Sequence, residues 1–439
     1  MLMKMLMKML KQSNNAARPR LRVTASLTLL ALLSGAQVCA LPARQTCPSC
    51  CPQCCPLCGM TRQPFENPDA LRGFYQALAR TQAAAAPTSD EFMVTRILHY
   101  GDSHVAADVL TGALRQQFQR DFGNAGSGFL YAARPWAWYG RAGLTQTASA
   151  GWQVNGLKLA TLPFDNQLGL AGLSFTAARA GELLQINATG DRFEFAVLQQ
   201  PGAGAIEVWL DGQLYHPSLA LEAPEPATLL IPVEAERAGA HTLALRAASE
   251  GPVRVFGLSA EYARSGVIYD ALGLNGARAT RPLQWDWQLL NEQLIWRAPA
   301  LIVVAYGSNE AGDADLNLAA YRRDFTELLR RFQRAVPAAS LLVIAPPDRA
   351  QRNHGRWQSL PQLSGVIEAQ RQAARVTGAA FWDLHRAMGG AGAINHWTAQ
   401  RLAQADHVHL TATGYRLVAD TLYEELMRGY AAFLKQQTH

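Results

Sequence analysis

The chain has 439 residues, enough for two or three domains; 49% are hydrophobic and 17% are charged, which argues against a disordered protein. The formal net charge of +6 equals the six basic residues of positions 1–40, a stretch without acids, so the rest is neutral and no nucleic-acid partner is expected. No apolar run long enough to span a membrane follows this stretch, which argues against an integral membrane body.

Residues 1–40 have the pattern of a signal peptide. Basic residues run up to Arg22, and an apolar segment follows over residues 25–33. Val38-Cys39-Ala40 carries small or branched residues where a signal peptidase acts, so we expect cleavage after residue 40. An uncleaved membrane anchor is the alternative; a lipid anchor at the cysteine is disfavoured because a valine precedes it. We expect an exported protein of the periplasm or cell envelope, which meets the membrane only through this signal.

Residues 41–66 form a Cys/Pro-rich segment. Its six cysteines fall in C-x-x-C units, a spacing that serves either a metal ion or, outside the cytoplasm, disulfide bonds. They are Cys47, Cys50, Cys51, Cys54, Cys55 and Cys58. We favour a disulfide-bonded or disordered spacer over a metal site, and we expect no catalytic role here.

Residues 67–134 indicate the first part of an α/β domain. Apolar residues at helical spacing predict a helix within 67–86, and residues 92–100 predict a strand that ends at Gly101-Asp102-Ser103-His104. A second helix is predicted from Ala106, since apolar residues recur every four positions up to Phe122 and Gly123 can end it.

Residues 135–262 have a different pattern. Helical periodicity gives way to short runs of β-forming residues, separated by turn signals such as Asp211-Gly212. The runs are 183–186, 193–198, 205–210, 227–233, 241–245 and 253–258. This pattern predicts an inserted all-β sandwich.

Residues 263–439 return to the α/β pattern. Apolar runs at 301–306, 341–345 and 379–383 predict buried strands, and helices are predicted at 316–335, around 367–376 and at 413–434. Strands that alternate with helices imply a parallel sheet covered on both faces. The β region therefore interrupts one α/β domain after its first strand and helix.

Two segments carry residue types suited to nucleophilic catalysis. Ser103 follows a predicted strand and begins a helix, a place that exposes a hydroxyl at the sheet edge. Before the last helix, Asp406 precedes His409 by three residues, a spacing that lets a carboxylate orient an imidazole. His407 competes, but it adjoins the Asp, so we prefer His409. Each segment alone is more often a turn or a helix cap.

Two further segments carry groups that can stabilise a negatively charged oxygen. Asn309 follows the strand at 301–306 and can donate its side-chain amide, although an Asx-turn is the ordinary interpretation. Gly276 stands where the α/β pattern resumes and allows close approach of a backbone N–H. Of the four segments, the one that contains Gly276 is the weakest indication of a catalytic role.

Taken in order, the blocks GDS, NG, GSN and DxxH resemble those of the SGNH (GDSL-type) hydrolases. The resemblance implies a flavodoxin-like parallel sheet and a catalytic triad of Ser103, Asp406 and His409. It places the backbone N–H groups of Ser103 and Gly276 and the side chain of Asn309 in the oxyanion hole, with no cofactor and no metal. Positions 308–310 read Ser-Asn-Glu, a departure from the common Gly-x-Asn-Asp that keeps the Asn.

The likeness is closer to bacterial peptidoglycan O-acetylesterases. Five segments carry it: GDSH at 101–104, LGLNGA at 272–277, YGSNEA at 306–311, AMGG at 387–390 and DHVHLTATGY at 406–415. Those proteins also carry a carbohydrate-binding-module-like β domain between the first two blocks. The resemblance implies a serine esterase that removes O-acetyl groups from a glycan through an acetyl-serine. An O-acetyltransferase with the same triad, and a glycan-binding protein with an inactive hydrolase fold, remain alternatives.

Aromatic residues of the inserted region bear on glycan binding. Trp152, Trp209 and Tyr215 could stack on sugar rings, although a place in the β core is the more ordinary role for them.

Overall fold

The structure, a computed structural model, describes residues 60–85, 92–157 and 165–437. The predicted signal peptide and the cysteines from Cys47 to Cys58 lie outside these residues. Among the described residues, none of the helices combines the length and the apolar character that a membrane-spanning helix needs.

The strands of the described part are numbered here in chain order. They are β1 (Val94–Gly101), β2 (Gly126–Leu130), β3 (Thr145–Ala148), β4 (Gln153–Asn155), β5 (Ser174–Ala177), β6 (Leu183–Gln199), β7 (Ala205–Leu210), β8 (Gln213–Ala220), β9 (Ala227–Ala247), β10 (Val253–Glu261), β11 (Gly266–Gly273), β12 (Leu301–Ala305), β13 (Ser340–Ile344), β14 (Ala350–Asn353), β15 (Arg356–Ser359) and β16 (Ala380–Trp382).

The helices are numbered in the same way. They are α1 (Arg72–Ala84), α2 (Ser103–Ala106), α3 (Leu110–Phe122), α4 (Trp287–Arg297), α5 (Leu318–Ala335), α6 (Leu363–Thr377), α7 (Leu384–Ala387), α8 (Ala393–Ala399) and α9 (Ala412–Gln437), with short 3₁₀ turns at Pro68–Leu71, Pro282–Gln284 and Glu310–Gly312.

A five-stranded parallel sheet runs in the order β11-β1-β12-β13-β16. In chain order this is 2-1-3-4-5, the flavodoxin-like arrangement, so the predicted fold class is confirmed. Such sheets bind their ligands at the carboxyl ends of the strands where the order reverses, which here lies between β1 and β12. The sheet topology thus marks the location of a site before any side chain is considered.

Alternate residues of these strands face two separate cores, as the period of two requires. Ile97 and Val303 join one apolar cluster with α1, α3 and α9, while Leu98 and Val304 join another with α5 and α6. Burial on both faces explains the continuous apolar runs that predicted β12 and β13.

An antiparallel sheet of nine strands lies between α3 and β11 in the chain, which confirms the inserted β region. Its first strand, β2, precedes the expected start at residue 135, since a Gly-rich stretch gives no alternating pattern. The runs predicted at 183–186 and 193–198 are halves of β6, and those at 227–233 and 241–245 are halves of β9. A register shift at Gly190/Arg192 lets the pairing of β6 with β9 continue through residues that resemble a turn.

Candidate active site

Strand β1 positions Ser103 at the point where the strand order of the parallel sheet reverses. Gly101 ends β1, and Asp102 caps the short helix α2 by accepting a hydrogen bond from the N–H of His104 at 3.0 Å. Gly101 is required here, since a Cβ would lie 2.7 Å from the carbonyl oxygen of Ala305 on β12. The cap turns the chain sharply, so the half-buried Ser103 begins the helix next to the strand end.

Three of the residues selected from the sequence form a continuous hydrogen-bonded chain. The Nε2 atom of His409 lies 2.9 Å from Oγ of Ser103, and its Nδ1 lies 2.8 Å from Oδ2 of Asp406. Oδ1 of Asp406 accepts from the backbone N–H groups of Val408 and His409, both at 3.0 Å. The carboxylate therefore fixes both the loop and the ring, and leaves Nε2 directed at the hydroxyl.

The electrostatics of Asp406 favour its charged form. Burial opposes ionisation, but the hydrogen bonds from the His409 side chain and from the two backbone N–H groups outweigh it and lower the Asp406 pKa to about 2. A charged Asp406 can stabilise an imidazolium that forms when His409 accepts a proton.

His407, the competing histidine, is held elsewhere. Its backbone adopts a positive φ of 55°, and its ring stacks on Trp357 with the centroids 3.9 Å apart and the planes 17° from parallel. Its Nδ1 contacts Oδ1 of Asn395 at 2.8 Å. The two histidines of the loop therefore have different partners: His407 contacts Trp357 and Asn395, and His409 contacts Ser103.

Asn309 and Gly276 lie at the carboxyl ends of the two strands that flank β1. Nδ2 of Asn309, after β12, donates to the carbonyl oxygen of Ala277 at 2.9 Å, which uses one of its two amide hydrogens. Gly276, after β11, is exposed, and its φ of +70° is a conformation that favours glycine. The structure brings these two loops together beside the strand that carries Ser103.

Glu310 has a structural role that the sequence did not reveal. This buried carboxylate accepts from the N–H of Ala279 at 2.7 Å and from the N–H of Gly307 at 3.1 Å. It therefore joins the Gly276 loop to the Asn309 loop, and burial raises its pKa. Its position next to Asn309 in the third block was the only available signal.

A group of buried residues behind Ser103 was also not predicted from the sequence. The His104 ring lies 5.6 Å from that of His409, and its Nδ1 contacts the hydroxyl of Tyr415 at 2.9 Å. Burial lowers the pKa of His104 to about 3 and raises the pKa of Asp102 to about 7. A neutral His104 therefore supports His409 without adding a positive charge next to it.

No three His, Cys, Asp or Glu side chains of the described residues are placed to hold a metal ion together. The geometry itself provides a nucleophile, a base, a carboxylate that orients the base, and hydrogen-bond donors at one sheet edge. This is the set of groups that acyl transfer through a covalent intermediate needs.

The chain is similar to known proteins in part of its sequence and in its fold. The sequence model of the GDSL-like lipase/acylhydrolase family matches residues 246–417. A solved peptidoglycan O-acetylesterase is 23% identical, covers 83% of this chain and 96% of its own, and has a TM-score of 0.68. A family two carbohydrate esterase from Cellvibrio japonicus is 14% identical, covers 66% and 99%, and has a TM-score of 0.28. No curated protein matches the sequence.

The fold and the site resemble those of carboxylic ester hydrolases of the SGNH type. The family match contains Gly276, Asn309, Asp406 and His409, and β1 adds Ser103 from outside the matched residues. In fold the chain resembles a peptidoglycan O-acetylesterase over most of its length.

Proposed function

We propose that this protein is an exported serine esterase that removes O-acetyl groups from a carbohydrate, with acetylated peptidoglycan as the favoured substrate. The observation that carries the proposal is the hydrogen-bonded chain Ser103–His409–Asp406 at the switch point of the sheet. The resemblance in fold to a peptidoglycan O-acetylesterase supports the choice of glycan.

In the proposed reaction, Nε2 of His409 takes the proton of Ser103 while Oγ attacks the ester carbonyl. The oxyanion is stabilised by the N–H groups of Ser103 and Gly276 and by the second amide hydrogen of Asn309. Collapse of the intermediate breaks the bond to the sugar oxygen, which receives the proton from His409. Water activated by His409 then attacks the acetyl-serine and releases acetate.

Acetate release from three substrates tests the proposal: O-acetylated peptidoglycan, acetylated xylan and an aryl acetate. We expect release from all three, fastest from peptidoglycan among the polymers. Ser103→Ala, checked for folding by circular dichroism, is expected to lose several orders of magnitude on each substrate. Turnover close to wild type in a folded Ser103→Ala protein contradicts the nucleophile assignment. Appearance of the acetyl group on an added sugar acceptor, rather than as acetate, identifies an acetyltransferase instead.

A further inference from the structure

Two neighbouring side chains hold the loop that carries Gly276. Nδ2 of Asn309 donates to the carbonyl oxygen of Ala277 at 2.9 Å, and Oε1 of Glu310 accepts from the N–H of Ala279 at 2.7 Å. Gly276 itself is exposed, and a Cβ built on it would meet no neighbouring atom within 4 Å. Because little packs against Gly276, the position of its N–H depends on the hydrogen bonds made by the residues that follow it.

The other carboxylate oxygen of Glu310 holds the turn that leads into Asn309. Oε2 accepts from the N–H of Gly307 at 3.1 Å, and Gly307 has a φ of +119°, a conformation that favours glycine. The guanidinium of Arg349 donates to the carbonyl oxygen of Ser308, the next residue of the turn. One carboxylate therefore fixes both the turn after β12 and the loop after β11, which are the two segments that carry the oxyanion donors.

The surroundings of Glu310 show that it serves the protein backbone. It is only 2% exposed, so it is shielded from a bound substrate. Within the described part of the chain it forms no ion pair, since the nearby Arg278 binds Asp313 at 2.6 Å. Burial raises the Glu310 pKa, and the N–H groups of Ala279 and Gly307 oppose that shift. The two backbone donors therefore replace a cation as the partners of this carboxylate.

We propose that Glu310 is the positioning residue of the oxyanion hole, which holds the Asn309 side chain and the Gly276 N–H at the separation at which both reach one oxyanion. This inference rests on the proposed function and adds to it a residue that acts through the two donors. A donor must lie about 3 Å from the oxyanion, and a displacement of about 1 Å can lower the rate about 100-fold. The rate of the chemical step therefore depends on this buried carboxylate.

Glu310→Gln, assayed on an aryl acetate, tests the proposal. The amide keeps the length of the side chain but replaces one acceptor oxygen with an NH₂ group, which faces a backbone N–H and releases one of the two segments. We expect kcat to fall about 30-fold while KM stays within about twofold of wild type. Glu425→Gln is the matched control, since Glu425 is also buried and accepts from Arg428 on α9 at 2.8 Å. It is expected to lower the thermal midpoint and to leave kcat unchanged.

Two further measurements distinguish positioning from a general loss of stability. In the Asn309→Ala background, Glu310→Gln is expected to lower kcat less than about fivefold, because one of the donors that Glu310 positions is already absent. Methylboronic acid mimics the tetrahedral intermediate: its boron bonds to Oγ of Ser103 while the hydroxyl proton passes to His409. Its inhibition constant for Glu310→Gln is expected to rise by the same factor by which kcat/KM falls.

Glu310→Asp carries the same test if Glu310→Gln does not fold. It keeps both oxygens but is one methylene shorter, so it cannot reach both N–H groups, and the same fall in kcat is expected. A kcat within about threefold of wild type in either folded variant, or an undiminished effect in the Asn309→Ala background, overturns the positioning role and leaves the esterase proposal intact. A wild-type protein without turnover of aryl acetate contradicts the esterase proposal, and the positioning role with it.

Discussion

At the scale of single residues, the loop before α9 offers a direct comparison of two histidines. His409 contacts Ser103 at 2.9 Å, while His407 stacks on Trp357 and contacts Asn395. His409→Ala is therefore expected to lower kcat on aryl acetate by about 10³-fold or more, because the base is lost. His407→Ala is expected to lower it less than about tenfold, through a loosened loop. Steady-state kinetics of the two purified variants measure the difference, and the reverse order shows that His407 is the base.

Asn309 allows a second residue-scale prediction. Asn309→Ala is expected to reduce kcat by about 10²–10³ with little change in KM, because an oxyanion donor acts mainly in the transition state. The control is Asn317→Ala, since Asn317 caps α5 by accepting from the N–H of Ala320 at 3.0 Å. That change is expected to lower the thermal midpoint and to leave kcat unaltered. A change confined to KM in Asn309→Ala moves this residue from the oxyanion hole to substrate binding.

The residues that the sequence identified are those whose chemistry is carried by a local motif. Asp406 precedes His409 by three residues on one loop, so spacing predicted their contact. Ser103 follows a strand in a GDS turn, and its place in the triad came from the resemblance to the SGNH hydrolases. Glu310 and Arg349 act through long-range contacts instead, with Ala279 and with Ser308. No periodicity or spacing reports such contacts, so these residues could be found only in the folded chain.

At the scale of elements, the helices and strands predicted correctly are those in which burial gives the sequence a regular pattern of apolar residues. The strand predicted at 301–306 is Leu301–Ala305, and the helix predicted at 316–335 is Leu318–Ala335. The hairpin β14–β15 was missed because each strand has only four residues, most of them polar, which is too short a run to show an apolar alternation. The helix α4 was missed too, since it packs against both sheets and has apolar residues on more than one side.

The helix α4 also joins the two sheets, which leads to a stability prediction. Arg297, buried at its end, contacts Asp270 on β11 at 3.0 Å and Glu261 on β10 at 2.7 Å. Arg297→Ala leaves both carboxylates buried without this cation and is expected to lower the free energy of unfolding by about 3–5 kcal/mol. Urea denaturation measures the loss, with the exposed Arg237→Ala as control. A loss below about 1 kcal/mol shows that Arg297 does not couple the sheets.

At the scale of the whole molecule, the inserted sheet and the oxyanion side of the site are neighbours. The chain leaves the parallel sheet after α3 and returns at β11, and the loop that follows β11 carries Gly276. The hydroxyl of Tyr131 donates to the carbonyl oxygen of Gly273, the last residue of β11, at 3.3 Å. Deletion of the insert would therefore disturb the site itself, so point substitutions are the way to examine what the insert does.

The three aromatic residues selected from the inserted region differ in how far they are buried. Trp152 is buried in the apolar core. Trp209 is half-buried, with Arg246 5.8 Å from its ring centre, and Tyr215 is 38% exposed on the edge strand β8. Sugar stacking requires an accessible ring face, so Tyr215 is the strongest candidate for glycan contact and Trp209 the second.

If the insert holds a glycan near Ser103, it raises the local concentration of ester groups and leaves the chemical step unchanged. Tyr215→Ala and Trp209→Ala, made one at a time, are then expected to reduce pull-down by insoluble acetylated peptidoglycan, and acetate release from it, about fivefold each. Activity on soluble aryl acetate is expected to stay at the wild-type level. Ile295→Ala, which removes an exposed apolar side chain from α4, serves as the control. Full binding and full polymer activity in both folded aromatic variants would show that these rings of the insert do not bind glycan.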